Sequence, residues 1–340
     1  MNTFIIAEAG ANHNRDWKIA KRLVYTAAAA GASAVKFQNY TSHKLYVKNT
    51  PDFGAYRNIP DLISSIELPA TWTRDLKMLC DDCDIEFMST PFDEEAVDLL
   101  MGLGVKRMKI AAFESGDPRL VRKVASTGLP IIFSAGIGAG PEQVRRTLEV
   151  IFNENTEADV TILHCNSSYP TPMSDINLGQ MLVLKDRFGS QANIGLSDHT
   201  MGILIPPVAV SLGACVIEKH FTMSRSLSGP DHPFAIEPEE LHAMCRNIRD
   251  VESALGKKSG SDLTDSETKN EMRFATRSLV AKRKIDAGEM LTADNVTTKR
   301  PYIEGNIPAS KYDEVVGAWT ASQAIEEDSM ITYNNVKKSA

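Results

Sequence analysis

The stretch Phe4-Ile5-Ile6-Ala7-Glu8-Ala9, closed by Gly10-Ala11-Asn12-His13-Asn14, opens the pattern that decides the fold. It is a short apolar run rich in β-branched residues, then a polar turn, and an amphipathic stretch follows at 17–30. The same order returns with apolar runs at 34–38, 86–90, 107–111, 130–135, 160–166, 193–197 and 215–221. Helical periodicity is read at 69–83, 94–103, 118–126, 141–152 and 239–255, with Pro69 and Pro141 in first turns that tolerate proline. Eight such units within residues 1–256 match the size of a (β/α)8 TIM barrel, about 250 residues. A doubly wound sheet is the competing α/β arrangement, but no Gly-x-Gly-x-x-Gly follows the first run.

Residues 257–276 change character to Gly, Ser, Thr, Asp and Lys, which predicts an exposed linker. Residues 277–337 then alternate short apolar runs with turn residues, as in Ser278-Leu279-Val280-Ala281 and Asp286-Ala287-Gly288-Glu289. A small strand- and turn-rich domain is expected there, with a core marginal enough to call for a packing partner. The 340 residues hold 37 Lys and Arg against 44 Asp and Glu, a net charge of −7, so no basic excess points to nucleic acid. No run of about 18 apolar residues predicts a membrane span. The N-terminus has no basic region before Glu8, so no signal peptide is expected. Five cysteines, an odd number, fit a reducing cytoplasm, and Cys80-Asp81-Asp82-Cys83 is read as structural, not as half of a zinc site.

Barrel enzymes carry their chemistry at the C-terminal strand ends. Those ends supply Glu8, Lys36, Gln38, Ser89, Thr90, Lys109, Glu114, His164, Ser167, Ser197, Asp198, His199, Glu218, Lys219 and His220. Any one of them is open to reading as a salt-bridged bystander, but their concentration at one rim has no simple packing explanation. Two lysines with several hydroxyls suit a ligand bearing phosphate or carboxylate. His199 and His220 close adjacent strands and are placed to share an open Lewis-acid metal site, or to stand as ordinary hydrogen-bonded rim histidines. His13 either joins the mouth or shapes the first loop.

At this point the motifs carry a resemblance. Ile6-Ala7-Glu8-Ala9-Gly10-Ala11-Asn12-His13-Asn14, Val35-Lys36-Phe37-Gln38, Ser89-Thr90-Pro91-Phe92-Asp93, His164-Cys165-Asn166-Ser167-Ser168-Tyr169-Pro170-Thr171-Pro172, Gly195-Leu196-Ser197-Asp198-His199 and Ile217-Glu218-Lys219-His220-Phe221-Thr222 resemble the sialic acid synthase family. Residues 278–301, ending Thr297-Thr298-Lys299-Arg300-Pro301, resemble the antifreeze-like (SAF) domain that follows the family's barrel. The resemblance implies condensation of phosphoenolpyruvate with an N-acylated hexose to a nonulosonic acid: N-acetylneuraminate, legionaminate or pseudaminate.

Carried across residue by residue, the resemblance assigns divalent-metal ligands to His199 and His220, with Mn2+ expected and Mg2+ or Co2+ as alternatives. It assigns phosphoenolpyruvate contacts to Lys36, Thr90, Lys109, Ser167 and Ser197. Glu8, Gln38, Glu114, Tyr169 and Asp231 match groups around the sugar and the reacting carbons, with Glu8 or Glu114 placed to position or deprotonate water. Phe274 and Arg300 match groups that reach the other subunit's active site, so a domain-swapped homodimer is implied. That partner subunit would be what the small domain packs against.

The chain departs from the family pattern in places. Ala112 stands where a serine commonly assists phosphate binding, and Ser167 differs from the branch with asparagine there. Phe113 resembles the pseudaminate branch, whereas Gly229-Pro230-Asp231-His232 resembles the neuraminate and legionaminate branch. Tyr302-Ile303-Glu304-Gly305 replaces a short glycine-rich continuation. Two other functions stay open from the residues themselves: a Schiff-base aldolase using Lys36 or Lys109, and a non-catalytic sugar-binding protein.

Overall fold

In a computed structural model, which describes residues 2–52, 57–137, 140–256, 266 and 274–339, all eight apolar runs become parallel strands. They are β1 (Phe4–Gly10), β2 (Ala34–Asn39), β3 (Glu86–Pro91), β4 (Met108–Ile110), β5 (Ile131–Ala135), β6 (Val160–Cys165), β7 (Asn193–Asp198) and β8 (Val216–His220). The ladder order is β3-β2-β1-β8-β7-β6-β5-β4, so the first and last strands pair with each other. β3 and β4 lie side by side without a ladder, which leaves the barrel nearly closed. β4, hydrogen-bonded on its β5 side only, is the shortest of the eight.

Helices α1 (Trp17–Ala29), α4 (Ala70–Asp82), α5 (Glu94–Gly102), α6 (Pro118–Ala125), α7 (Pro141–Glu154), α8 (Gly179–Phe188), α9 (Ile205–Ser211) and α10 (Pro238–Leu255) form the outer layer. Asp16, Asp93 and Asp117 cap the starts of α1, α5 and α6 with side-chain oxygens on first-turn N–H groups. Pro141 opens α7 as expected, whereas Pro69 stands one residue before α4, at its N-cap. Two short helices between β2 and β3, α2 (Ser42–Leu45) and α3 (Ile59–Ile66), had no periodic signal long enough to announce them. Cys80 is buried in the last turn of α4 and packs in the main core, with Cys83 half-buried at the helix end.

The period-two alternation of the strands sorts the barrel interior into levels. Ile6, Ala34, Met88, Ile132, Leu163 and Val216 close the bottom as an apolar plug. Two residues further along the same strands stand Glu8, Lys36, Thr90, Ser134, Cys165 and Glu218, all buried. The plug thus seals one end, and each ionisable group above it faces only its neighbours and the mouth.

Residues Met1–Gly256 and Lys257–Ala340 form separate compact units. Of the expected linker, residues 257–265 and 267–273 lie outside the described residues. The second unit holds β9 (Ser278–Ala281) paired with β10 (Val296–Lys299), α11 (Tyr312–Val315), and β11 (Trp319–Ala321) paired with β12 (Val336–Lys338). Its core is Leu279, Ala281, Ile285, Leu291, Val296, Ile307, Val315, Ala321, Ile325, Ile331 and Val336. The unit repeats itself. Ile285 and Ile325 bridge each other, and the Asn295 and Asn335 side chains accept from the N–H groups of Thr292 and Thr332 at 2.7 and 2.8 Å. Gly288 (φ +85°) has its counterpart in Asp328 (φ +60°), a left-handed position that aspartate tolerates better than most residues. Among the described residues no helix is long and apolar enough to cross a membrane.

Candidate active site

Above the apolar plug lies an ionic layer. The Lys36 ammonium is 2.9 Å from Glu8 Oε2 and 3.7 Å from Glu218 Oε2, and it donates to Thr90 Oγ1 at 3.0 Å. Lys109 Nζ donates to Ser134 Oγ and the Ile110 carbonyl, both at 2.9 Å, and lies 3.9 Å from Glu218 Oε2. Ser197 Oγ donates to Glu218 Oε1 at 3.3 Å. Glu218 therefore faces both lysines and ties them into one network.

Burial pushes the Glu8 carboxyl up to about 7, against the pull of Lys36. Burial lifts Glu218 too, but Lys109 and Lys36 outweigh it and hold the carboxylate below its usual range. The Lys36 ammonium is disfavoured by burial, yet Glu218 and Glu8 prevail and raise its pKa. For Lys109 burial prevails over Glu218, and its pKa is lowered.

The mouth carries a second set. Gln38 Nε2 donates to Glu8 Oε1 at 2.9 Å. Gly10 has φ +48°, and a Cβ there would stand 3.3 Å from both Glu8 Oε1 and Asp231 Oδ2. Asp231 Oδ2 is 3.5 Å from His220 Nδ1, and burial pushes its carboxyl up to about 6. Glu114, in the 3-10 turn after β4, has its Oε2 buried without a hydrogen-bond partner, and burial pushes it up to about 7. Ser167 Oγ is likewise buried and without a partner. It points at Gly136, where a Cβ would come within 2.5 Å of it and 3.0 Å of the Ala112 Cβ. A cavity of about 400 Å3 opens beside Gly136 and Ser167, lined also by His164, Asn166 and Gln180.

The His199 and His220 rings have centroids 5.3 Å apart, with the Tyr169 ring tilted 39° to that of His199 at 4.2 Å and Phe234 edge-on to His220 at 5.2 Å. Burial lowers both imidazole pKa values, so both rings are neutral at pH 7. His199 Nδ1 donates to the Asn166 carbonyl at 2.7 Å, which leaves Nε2 as a bare lone pair, the tautomer of a metal ligand. His220 Nδ1 is buried with no hydrogen-bond partner. The donor set fits a divalent ion bound by two imidazoles with open positions. Among the described residues no group of three or more His, Cys, Asp and Glu is arranged to hold one.

Twelve of the fourteen residues to which the resemblance assigns a role lie on the barrel unit: Glu8, Lys36, Gln38, Thr90, Lys109, Glu114, Ser167, Tyr169, Ser197, His199, His220 and Asp231. Phe274 and Arg300 belong to the second unit; both are exposed, and the Phe274 carbonyl accepts the Tyr302 N–H at 3.0 Å. Ser134 was missed, because a serine near the end of Ile131-Ile132-Phe133-Ser134-Ala135 breaks no pattern; its inward parity with Ile132 was the available signal. Glu218 was noted at the rim without its role as the shared counter-ion. His13 shapes the first loop: it is buried between Phe37 and Trp72, and its Nδ1 accepts the Arg15 N–H at 3.0 Å.

Known proteins are similar to this chain over most of its length. N,N'-diacetyllegionaminic acid synthase of Campylobacter jejuni is 39% identical, covering 97% of this chain and 98% of that one. Pseudaminic acid synthase of the same species is 37% identical, with 92% and 91% covered. The crystal structure of N-acetylneuraminic acid synthetase from Leptospira borgpetersenii superposes with a TM-score of 0.72 at 33% identity, covering 80% of this chain and 92% of that one. The SAF domain model matches residues 276–337. With the NeuB family model matching residues 23–260, the chain belongs to the NeuB family, joined to a C-terminal SAF domain.

Proposed function

We propose that the protein is a nonulosonic acid synthase that condenses phosphoenolpyruvate with the open-chain form of an N-acylated hexose. The observation that carries this reading is the ionic layer: two fully buried ammonium groups beside Thr90, Ser134 and Ser197 hydroxyls, below a mouth holding two neutral imidazoles. Fixed ammonium charge and oriented hydroxyls suit the phosphate and carboxylate of a small polyanion, and in a buried site they act without the screening of water. Lys36 and Lys109 would hold the anion while Ser167, unpartnered beside Gly136 and Ala112, offers a further donor.

In the proposed reaction, C3 of phosphoenolpyruvate bonds to the sugar aldehyde carbon, whose oxygen takes up a proton. Water adds at C2, and inorganic phosphate leaves with cleavage of its C–O bond. Glu8 and Glu114, each with a pKa of about 7, are suited to accept the water proton. A divalent ion, Mn2+ in this reading, supplies Lewis-acid polarisation of the aldehyde when bound. His199 and His220 would hold it, with Asp231 beside His220. Phe274 and Arg300, exposed on the SAF unit, would serve the barrel of a second subunit in a swapped homodimer.

Phosphate release tests the proposal. Apo protein given Mn2+, phosphoenolpyruvate and, in turn, N-acetylmannosamine, its 6-phosphate and 2,4-diacetamido-trideoxy hexoses should release phosphate with one of them. No release with any member of the panel would refute it. The lowered pKa of Lys109 favours one competing reading, an imine-forming aldolase. Borohydride with pyruvate would then leave a reduced adduct on Lys109, and the synthase reading expects none.

A further inference from the structure

We propose that the buried Asp198–Lys219 ion pair is a positioning device that sets His199 and His220 for a shared ion, an inference that rests on the two-imidazole site proposed above. Asp198 and Lys219 precede the two histidines, are register partners on β7 and β8, and point away from the barrel interior. The preceding partners, Ser197 and Glu218, point inward and hydrogen-bond to each other. The two faces of the same strand pair are thus fastened at successive residues.

The contacts act on the histidine backbone. Lys219 Nζ donates to Asp198 Oδ2 at 2.7 Å and to the Thr200 carbonyl. Asp198 Oδ1 accepts the Thr200 N–H at 2.9 Å. His199 is therefore bracketed by an aspartate and a threonine that both hold the residue before His220. The His199 carbonyl accepts from Thr171 N and the His220 carbonyl from Ile236 N, each at 3.0 Å, so neither peptide is free to rotate. The β7–β8 ladder sets the strand register as far as Asp198 and Lys219; what the ion pair adds is a hold on the chain beyond it, tying Lys219 at the end of β8 to the residues on both sides of His199.

Stability does not account for the pair. Both side chains are essentially fully buried, and a buried ion pair commonly gains little over apolar residues of the same volume, because both ions lose their hydration. Its distinctive product is geometric: a fixed course for the His199 backbone beside the end of β8. Two-ligand binding depends on it, since the protein's own contribution to an open site is the placement of few donors.

The test is a cobalt titration of the full-length apo protein, read by the d–d absorption of bound Co2+, beside far-UV circular dichroism and thermal unfolding without metal. Lys219→Met alone leaves Asp198 a buried unpaired carboxylate and is prone to misfold. The decisive variant is the double replacement Asp198→Asn with Lys219→Met, which is neutral, near in volume, and keeps an acceptor for Thr200 N–H. We expect wild-type folding and unfolding midpoint in this variant, with the Co2+ dissociation constant raised about 10- to 100-fold and an altered d–d band. Affinity within twofold of wild type would overturn the inference while leaving the ion site standing. Loss of the native fold with the loss of binding would assign the pair to folding and also overturn it. Wild type that takes no Co2+, or a His220→Ala variant that binds it unchanged, would overturn the ion site and this inference with it.

Discussion

Replacing Lys109 with Met removes one of the two cations in the ionic layer while keeping most of the apolar stem in place. Two unit charges about 4 Å apart interact by about 4 kcal/mol at an effective dielectric of about 20, suited to a polar interior. Against a bound phosphate, that is up to about a thousandfold in kcat/KM for phosphoenolpyruvate. Part of the loss is offset, because Glu218 keeps Lys36 at 3.7 Å and is not left unpaired. Ser134 loses its partner at 2.9 Å but keeps a hydroxyl free to turn toward the anion. The expected fall is therefore about 100- to 1,000-fold. The assay is phosphate release with phosphoenolpyruvate varied at saturating hexose, then hexose varied at saturating phosphoenolpyruvate. The hexose KM should stay within about threefold, since no cation is removed from the mouth. A kcat/KM for phosphoenolpyruvate within threefold of wild type would refute the placement of the anion over Lys109.

Three further outcomes are expected. Glu114→Gln should stabilise the protein at pH 8 but not at pH 4: the folded carboxyl has its pKa raised from 4.5 to about 7, so the native state binds the extra proton and loses stability as pH rises through that window. Urea midpoints across pH 4–8 should show a shallower fall in the variant, and parallel curves would contradict it. Gly136→Ala should lower kcat/KM for phosphoenolpyruvate more than tenfold without unfolding, because its Cβ would come 2.5 Å from Ser167 Oγ and displace that hydroxyl; an unaffected enzyme would remove Ser167 from the site. Inactive Arg300→Ala subunits mixed and exchanged with inactive Lys109→Met subunits should regain up to roughly a quarter of wild-type activity, since about half the dimers are mixed and each has one intact site; no recovery would mean that each tail serves its own barrel.

The barrel was legible because its signal is local. Each apolar run is followed by its own turn and amphipathic stretch, so Glu8, Lys36, Thr90 and Lys109 could be placed at C-terminal strand ends from their own units alone. What escaped depends on partners far apart in sequence. Ser134 matters only because Lys109 sits beside it on the neighbouring strand, and Gly136 only because Ser167 from the next strand fills the space of its missing Cβ. The short α2 and α3 helices are too brief to show a period. In the second unit the internal repeat was legible but went unread: at a 40-residue offset (325 − 285) Ile285, Met290, Thr292, Asn295 and Val296 recur as Ile325, Met330, Thr332, Asn335 and Val336, and the two Asn caps show its structural meaning.

The ionic layer also shows why the count of charges in a sequence does not give the field in a site. Glu8, Glu218, Lys36 and Lys109 sum to zero on paper. Burial raises Glu8 to about 7, so at neutral pH it carries a proton about half the time, whereas Glu218, facing both ammonium groups, stays ionised. Burial lowers the Lys109 pKa as it raises that of Glu8, so one cation and one carboxylate are weakened together, in a protein whose overall charge is −7. Removing Glu218 would leave two ammonium groups facing each other with one weakly ionised partner, which raises the field but loses the order of the network. Glu218 keeps both lysines in one network, while burial weakens the charge of Glu8 beside Lys36. An arriving anion then meets cations already held in place, and the carboxyl nearest Lys36 is free to take or give a proton at the pH where the reaction would run.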